Sequence, residues 1–357
     1  MNGATINKSK IGYSSLGYNK YTRGVVPVST KIIKPKEITN VEEVKPAEPK
    51  MVESKKHGLL VTTAPEFMAM QAEQMRLFID SEVDAIVFFK DYMHEKLLPF
   101  QSLAIKTLYN LWDTYKVTPE EQTLIDILWS NWSIRLDPTK LSDIDKMILV
   151  LGRRSTKSSL MSFIATYTLY SLIMKGNPQN YYNIRERHPI HIVHVAAKGE
   201  QAEEVFTLPS DNIRKTEFFK PFIDFDKDNS TELRLFTPFD IELNKKIMAE
   251  NLNIQRGTPK ASRLPGSLTV ESITTAAATN RGKAIILLML SELAHFERAK
   301  FERHMSDSEV ISENTQTDYA IVKALVPSVK DFGRDGKVIM ESSPKEKGGE
   351  FYHQYCL

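Results

Sequence analysis

Lys157 and Ser158 stand where an apolar run, residues 147–151, gives way to a basic, hydroxyl-bearing loop: Gly152-Arg153-Arg154-Ser155-Thr156-Lys157-Ser158-Ser159. An amine followed directly by a hydroxyl, between a strand and a helix, suits a phosphate group and its magnesium ion. The amine would contact β- and γ-phosphates, the hydroxyl would ligate the metal, and backbone N–H groups of residues 153–158 would cradle phosphate oxygens. A helix N-terminus also favours an anion. The usual spacing is G-x-x-x-x-G-K-[ST]. Here Leu151 and Thr156 hold the two glycine positions, and only Lys157 and Ser158 match. Arg153 or Arg154 could stabilise charge on a transferring phosphoryl group; a surface or ion-pair role is the alternative for each.

Three other stretches carry groups that such a site needs. The apolar run Ala284-Ile285-Ile286-Leu287-Leu288-Met289-Leu290 ends in Ser291-Glu292, with His295 close behind. A carboxylate at that strand end, Glu292, is placed to orient an attacking water. Ser291 sits where a metal-linked Asp is usual; a hydroxyl can hold a magnesium-bound water but brings no charge. The stretch Gly336-Lys337-Val338-Ile339-Met340-Glu341-Ser342-Ser343 ends in two hydroxyls. These can hydrogen-bond a terminal phosphate or the base that serves it, or simply cap a turn. In Leu98-Pro99-Phe100-Gln101, Pro99 suits a first helical turn and Gln101 would face outward. A glutamine amide can pair with the edge of adenine; otherwise Gln101 is a surface residue.

The elements that must position these groups alternate. A helical segment begins near residue 64, where Phe67, Met68, Met70, Met75, Leu77 and Phe78 read as core packing. Helix starts follow at Thr118-Pro119 and Asp137-Pro138, with Trp129 and Trp132 packing between them. Residues 147–151 read as a strand, 159–175 as a buried helix, 189–197 as a strand and 198–206 as a turn and helix. Residues 210–265 read as polar and irregular, with short strands at 233–236 and 240–243; strands at 266–273 and 284–290 follow, and 279–283 is a loop. Strand and helix in alternation imply an α/β fold with a mainly parallel sheet. His191 and His194, three apart on one strand, would point to opposite faces and share no metal.

Composition bounds the function classes. Hydrophobic content of 41% and charged content of 26% over 357 residues are those of a globular protein with a sizeable core. Residues 1–56 carry eleven Lys/Arg and five Asp/Glu, and lack apolar periodicity. Residues 1–60 are therefore expected to be a basic, disordered arm, followed by a helical segment over 61–142 and a core over 143–357. The single cysteine, Cys356, excludes an internal disulfide and a cysteine zinc cluster. The sequence lacks both an apolar run long enough for a membrane span and the apolar core of a signal peptide, so a cytoplasmic location is expected.

Taken together, these segments resemble the ATPase part of the large terminase subunit, the DNA-packaging motor of tailed bacteriophages. The family's adenine segment is similar to Leu98-Pro99-Phe100-Gln101, and its phosphate loop to Gly152-Arg153-Arg154-Ser155-Thr156-Lys157-Ser158. Its next strand and helix resemble Ile192-Val193-His194-Val195-Ala196-Ala197 with Gln201-Ala202, and an Arg-Gly pair resembles Arg281-Gly282. Its acidic motif resembles Ser291-Glu292-Leu293-Ala294-His295-Phe296, and its coupling segment Ser342-Ser343-Pro344-Lys345. All six occur in order over about residues 95–355.

The resemblance implies a P-loop NTPase of the ASCE type, with ATP and Mg2+ as cofactors and ATP hydrolysis as its activity. It implies double-stranded DNA, a portal protein and a small terminase subunit as partners, a homo-oligomer on the portal, and residence in the host cytoplasm. Ser342 and Ser343 would couple loss of the γ-phosphate to motion. Thr156 and Ser291 depart from the family pattern, where glycine and Asp are usual. Slow hydrolysis, or a nucleotide-binding assembly module without turnover, is the corresponding alternative; a helicase-like translocase is another. The family's second, RNase H-like nuclease part has no counterpart here, so nuclease activity is not expected from this chain.

Overall fold

The apolar segments around the phosphate loop, Glu292 and Ser342 form adjacent strands. The computed structural model describes residues 82–131, 141, 144–152, 154–227, 229–252, 262–275, 282–297, 301–302, 310–311, 317–343 and 347–356. The expected arm, the helical stretch from residue 64, the Asp137-Pro138 helix start, Arg153, Arg281 and the Pro344-Lys345 pair lie outside the described residues.

The sheet contains β1 (Lys146–Val150), β2 (Ile190–Ala196), β3 (Glu232–Leu235), β4 (Leu268–Thr274), β5 (Ala284–Ser291) and β8 (Lys337–Ser342). Their spatial order is β1-β8-β5-β2-β4-β3. Every neighbour pair is parallel except β3 with β4, at one edge. Two-residue strands β6 (Phe301–Glu302) and β7 (Val310–Ile311) pair separately. This is an α/β fold with a mainly parallel sheet, as the alternation of strand and helix indicates.

The longer helices are α1 (Pro99–Leu108), α2 (Pro119–Asn131), α3 (Lys157–Met174), α4 (Gly199–Lys215), α5 (Pro238–Leu252), α6 (Asp318–Val329) and α7 (Gly349–Cys356). Two hydrophobic clusters cover the sheet's two faces. One includes Leu160, Ile164 and Leu169 of α3 against Ile192, Leu287 and Ile339. The other packs Ile321 and Leu325 of α6 against Val195, Leu288 and Met340. Strands buried on both sides must be continuously apolar, which is why β5 carries no alternation. Among the described residues no helix is long and apolar enough to cross a membrane.

A bulge in β5 aims the site. His191 pairs with Ile285 and Ile192 with Leu287, leaving Ile286 as an extra residue. One inserted residue reverses the facing of everything beyond it. Leu287, Met289 and Ser291 consequently share the face of Ile192 and His194.

The structure corrects the reading of 210–265 as irregular. Helix α4 continues to Lys215, through Pro209, and a 3-10 turn over Glu217–Phe222 buries Phe218, Phe219 and Phe222. Residues 240–243, expected as a strand, belong to α5. Its capping box decides the matter. Asp240 N–H donates to Thr237 Oγ1 at 3.0 Å, and Asp240 Oδ2 accepts from Thr237 N–H at 2.9 Å. The expected edge strand at 233–236 forms as β3, shifted by one residue.

Helix α1 is anchored from beneath by a buried ion pair. Lys106 and Glu121 are 4% and 1% exposed and 2.8 Å apart. Glu121 also accepts from Ser102 Oγ at 2.7 Å and from Thr118 N–H at 2.9 Å. Burial pushes its carboxyl up, but Lys106 and these two donors outweigh burial and hold it below the usual range.

Candidate active site

The phosphate loop leaves β1 beside the end of β8, where Leu151 N–H donates to Ser342 C=O at 3.1 Å. It closes at Thr156, which precedes α3 with φ 59° and ψ 23°. That left-handed conformation is the one glycine adopts without steric cost, and a β-branched side chain holds it under strain. Thr156 Oγ1 donates to Ser155 C=O at 2.6 Å, so it does not cap the helix. Arg154, also at positive φ (63°), is exposed beside the loop. Gly152 is exposed, and a Cβ there would meet nothing within 4 Å.

Gln101 differs from expectation. It is 3% exposed and does not face solvent. Its Oε1 accepts from Leu98 N–H at 3.0 Å, and its Nε2 donates to Thr156 Oγ1 at 3.4 Å. At the third position of α1 a glutamine can reach back to cap the chain entering the helix, and this turns the carboxamide inward. The same group thereby touches the phosphate loop.

Lys157, in the first turn of α3, is 12% exposed at its side chain and ion-paired with Glu292 and with Glu341, the latter at 3.0 Å. Burial pulls its amine down, but the two carboxylates prevail and raise it. Glu292 follows β5 with φ 54°, another left-handed residue at a strand end. Its Oε2 accepts from Ser342 Oγ at 3.2 Å, Ser343 N–H at 3.1 Å and Ser343 Oγ at 3.0 Å. Burial raises its carboxyl, and Lys157 with the Ser343 donors more than offsets this, holding it below the usual carboxylate range. Ser342 Oγ in turn accepts from Ala294 N–H at 3.3 Å. His295 stands at the rim, 3.3 Å from Ser343 Oγ and 3.7 Å from Glu292 Oε2.

The structure thus joins Lys157, Glu292, Ser342 and Ser343 in one network, and Gln101 with Thr156 in a second contact at the loop. Ser158 is exposed and Ser159 half-buried on the first turn of α3. Ser291 is 2% exposed, and its hydroxyl is hydrogen-bonded to Nε2 of His194. Burial lowers the His194 pKa to about 4, so the ring is neutral at ordinary pH and brings no charge. His191, on the opposite face, pairs with Glu271 at 2.7 Å.

Two members of this site escaped the sequence reading. Glu341 is 2% exposed and is the register partner of Ser291. His194 backs Ser291 from β2. Each is a polar residue inside an apolar strand, which is itself the signal that could have found them.

The donors present fit a polyphosphate. Backbone N–H groups of the first turn of α3 have no intrahelical partners, the Lys157 amine is adjacent, and the Ser155 hydroxyl is buried without a partner. Ser158 offers a hydroxyl to a divalent cation, and Glu292 and Glu341 offer negative charge close by. A separate cavity of about 340 Å³ reaches Lys337 at the opposite end of β8. Two of its lining groups are paired: Tyr182 Oη donates to Asp335 at 2.7 Å, and Lys337 donates to the carbonyls of Ile144 and Arg334.

Comparison with known proteins agrees with a P-loop fold. No curated protein matches the chain in sequence. The large terminase of bacteriophage HK97 is similar in structure, with 14% identity and a TM-score of 0.38, over 71% of this chain and 35% of that one. A variant of the large terminase ATPase domain of Thermus phage P74-26 has 16% identity and a TM-score of 0.35, over 59% of this chain and 64% of that one. The chain thus spans about a third of the HK97 protein's length and just under two thirds of the P74-26 domain. Residues 50–355 match the family described as "Uncharacterized protein MJ0330, N-terminal P-loop domain", and the chain belongs to that family.

Proposed function

We propose that this chain hydrolyses ATP and couples the reaction to movement of double-stranded DNA into a viral procapsid. The observation that carries the reading is the continuous path from Lys157 through Glu292 to Ser342 and Ser343. It links a phosphate-binding amine, a base and a strand-end hydroxyl pair that would sense the γ-phosphate. The six motifs in family order over about residues 95–355 support the packaging assignment.

In this mechanism Lys157 leaves Glu292 for the β- and γ-phosphates, and backbone N–H groups of the loop, with Ser155, hold their oxygens. Ser158 would hold magnesium, which when bound would neutralise charge at those oxygens. Glu292 orients the water and takes its proton as oxygen attacks the γ-phosphorus and the bond to the β-phosphate oxygen breaks. Departure of Lys157 removes a contact that holds the Glu292 carboxyl low, so nucleotide binding makes the base stronger. Ser342 and Ser343 keep Oε2 in place and pass the change on to β8 and the loop. Arg153 and Arg154 are the candidates for transition-state charge. Gln101 would read adenine from a position already in contact with Thr156.

Double-stranded DNA would be held mainly by its phosphates, with strong salt dependence. A portal protein, a small terminase subunit and further copies of the chain are the proposed partners, in the host cytoplasm. Phosphate release with Mg2+, with and without double-stranded DNA, tests the reading; DNA-stimulated release is expected, and no release under either condition would contradict it. A second reading is favoured by the left-handed Thr156: an assembly module that binds ATP without turning it over. Tight ATP binding without phosphate release would select it.

A further inference from the structure

Strand β5 ends in Ser291, which has no charge to offer a cation, but a carboxylate stands directly beside it. Glu341 of β8 is in register with Ser291, on the adjacent parallel strand. At 2% exposure it is a buried acid directly after the apolar run Val338-Ile339-Met340, an arrangement that is expensive unless a cation compensates it. Its Oε2 lies 3.0 Å from Lys157 Nζ but is not aligned for a hydrogen bond with it or with any other donor. Lys157 is therefore shared between two carboxylates, Glu292 and Glu341, and burial raises Glu341 above the usual carboxylate range despite that amine. If Lys157 turns to a triphosphate, both carboxylates lose their cation at once.

We propose that Glu341 supplies, from β8, the carboxylate through which this site holds the divalent cation accompanying a nucleoside triphosphate, in place of the acid that β5 lacks at Ser291. The assignment rests on the nucleotide-binding reading above. The bulge at Ile286 puts Ser291 on the α3 face, and the register then puts Glu341 on that face as well, beside Lys157, the residue that precedes Ser158. Ser291 and His194 form the neutral backing behind it. A carboxylate moved sideways by one strand restores the charge that the serine omits, without changing the phosphate loop.

The test is the affinity of the full chain for a non-hydrolysable ATP analogue, measured with Mg2+ and with EDTA, and with Mn2+ binding followed by electron paramagnetic resonance. In the wild type the metal should tighten analogue binding tenfold or more. In Glu341→Gln that ratio should fall to near one and bound Mn2+ should disappear, while metal-free affinity does not fall. The double variant Ser291→Asp/Glu341→Gln should regain metal dependence, which keeps the test meaningful if the single variant folds poorly. An unchanged ratio in Glu341→Gln would overturn the assignment. So would an equal loss of affinity with and without metal, because that would make Glu341 only a positioning partner of Lys157. A wild type that binds no analogue under either condition would overturn the nucleotide reading itself, and this assignment with it.

Discussion

Lys157 and Glu292, 135 residues apart in sequence, are ion-paired across the end of the sheet. The pair ties the first turn of α3 to the end of β5, and the remaining oxygen of Glu292 is held by Ser342 and Ser343 of β8 and its exit. Removing the amine should expose the carboxylate's dependence on it. In Lys157→Ala, ATP binding is expected to fall tenfold or more and hydrolysis to be lost, since in the proposed mechanism the amine would contact both terminal phosphates. Calorimetric titration with ATP checks this; unchanged affinity would place the nucleotide elsewhere.

Thr156 predicts a gain. A non-glycine residue in the left-handed region costs about 1–2 kcal/mol, and glycine's extra freedom in the unfolded chain returns about 0.5–1 kcal/mol of that. Thr156→Gly should therefore stabilise the protein slightly, by about 0.5–1 kcal/mol, and increase ATP turnover by opening the backbone to phosphate. Thermal unfolding reads the first effect and phosphate release the second. A clear drop in Tm would mean that the Gln101 contact to Thr156 Oγ1 matters more than the strain.

Glu121 anchors the helix that carries Gln101. Leaving Lys106 buried without its partner should cost about 3–5 kcal/mol in Glu121→Ala, measured by urea unfolding. The folded carboxyl lies below its unfolded value, so its contribution is present above the ordinary glutamate pKa and is lost as pH falls through the folded value. The variant should accordingly lose the part of the acid-unfolding slope that belongs to this group. A cost under about 1 kcal/mol would show that α1 is held by packing alone.

His194 gives a pH dependence of its own. Its folded pKa of about 4 lies below the unfolded value of about 6.5, so the unfolded chain binds the extra proton between them. Stability should decline as pH falls from 6.5 towards 4, by on the order of 3 kcal/mol in total from this residue. Unfolding free energies of wild type and His194→Asn across that range test it; parallel curves would remove His194 as the source.

Much of the sheet was legible because β1, β5 and β8 are apolar on both faces, a pattern that survives without knowledge of neighbours. Glu292, Ser342 and Ser343 are legible because each sits where such a strand ends, and Lys157 because it stands beside Ser158 in the basic, hydroxyl-bearing loop that follows one. The helix α5 was missed because residues 240–243 alternate in polarity while the Thr237–Asp240 cap, a three-residue signal, decides the conformation. Helix position alone places Gln101 outside; its inward turn depends on the N–H of Leu98 and the hydroxyl of Thr156, 55 residues away. Glu341 is not legible in the sequence, because its placement comes from register with Ser291, which a single strand does not reveal.

Glu292 is the proposed base of an ATP hydrolase. Glu292→Gln keeps the size of the side chain and an oxygen that can accept from Ser342 and Ser343, while removing the charge. Side by side with the wild type, single-turnover ATP cleavage should fall by about 10²–10⁴-fold, with ATP affinity retained within a few-fold. Cleavage at the wild-type rate in Glu292→Gln would contradict the account.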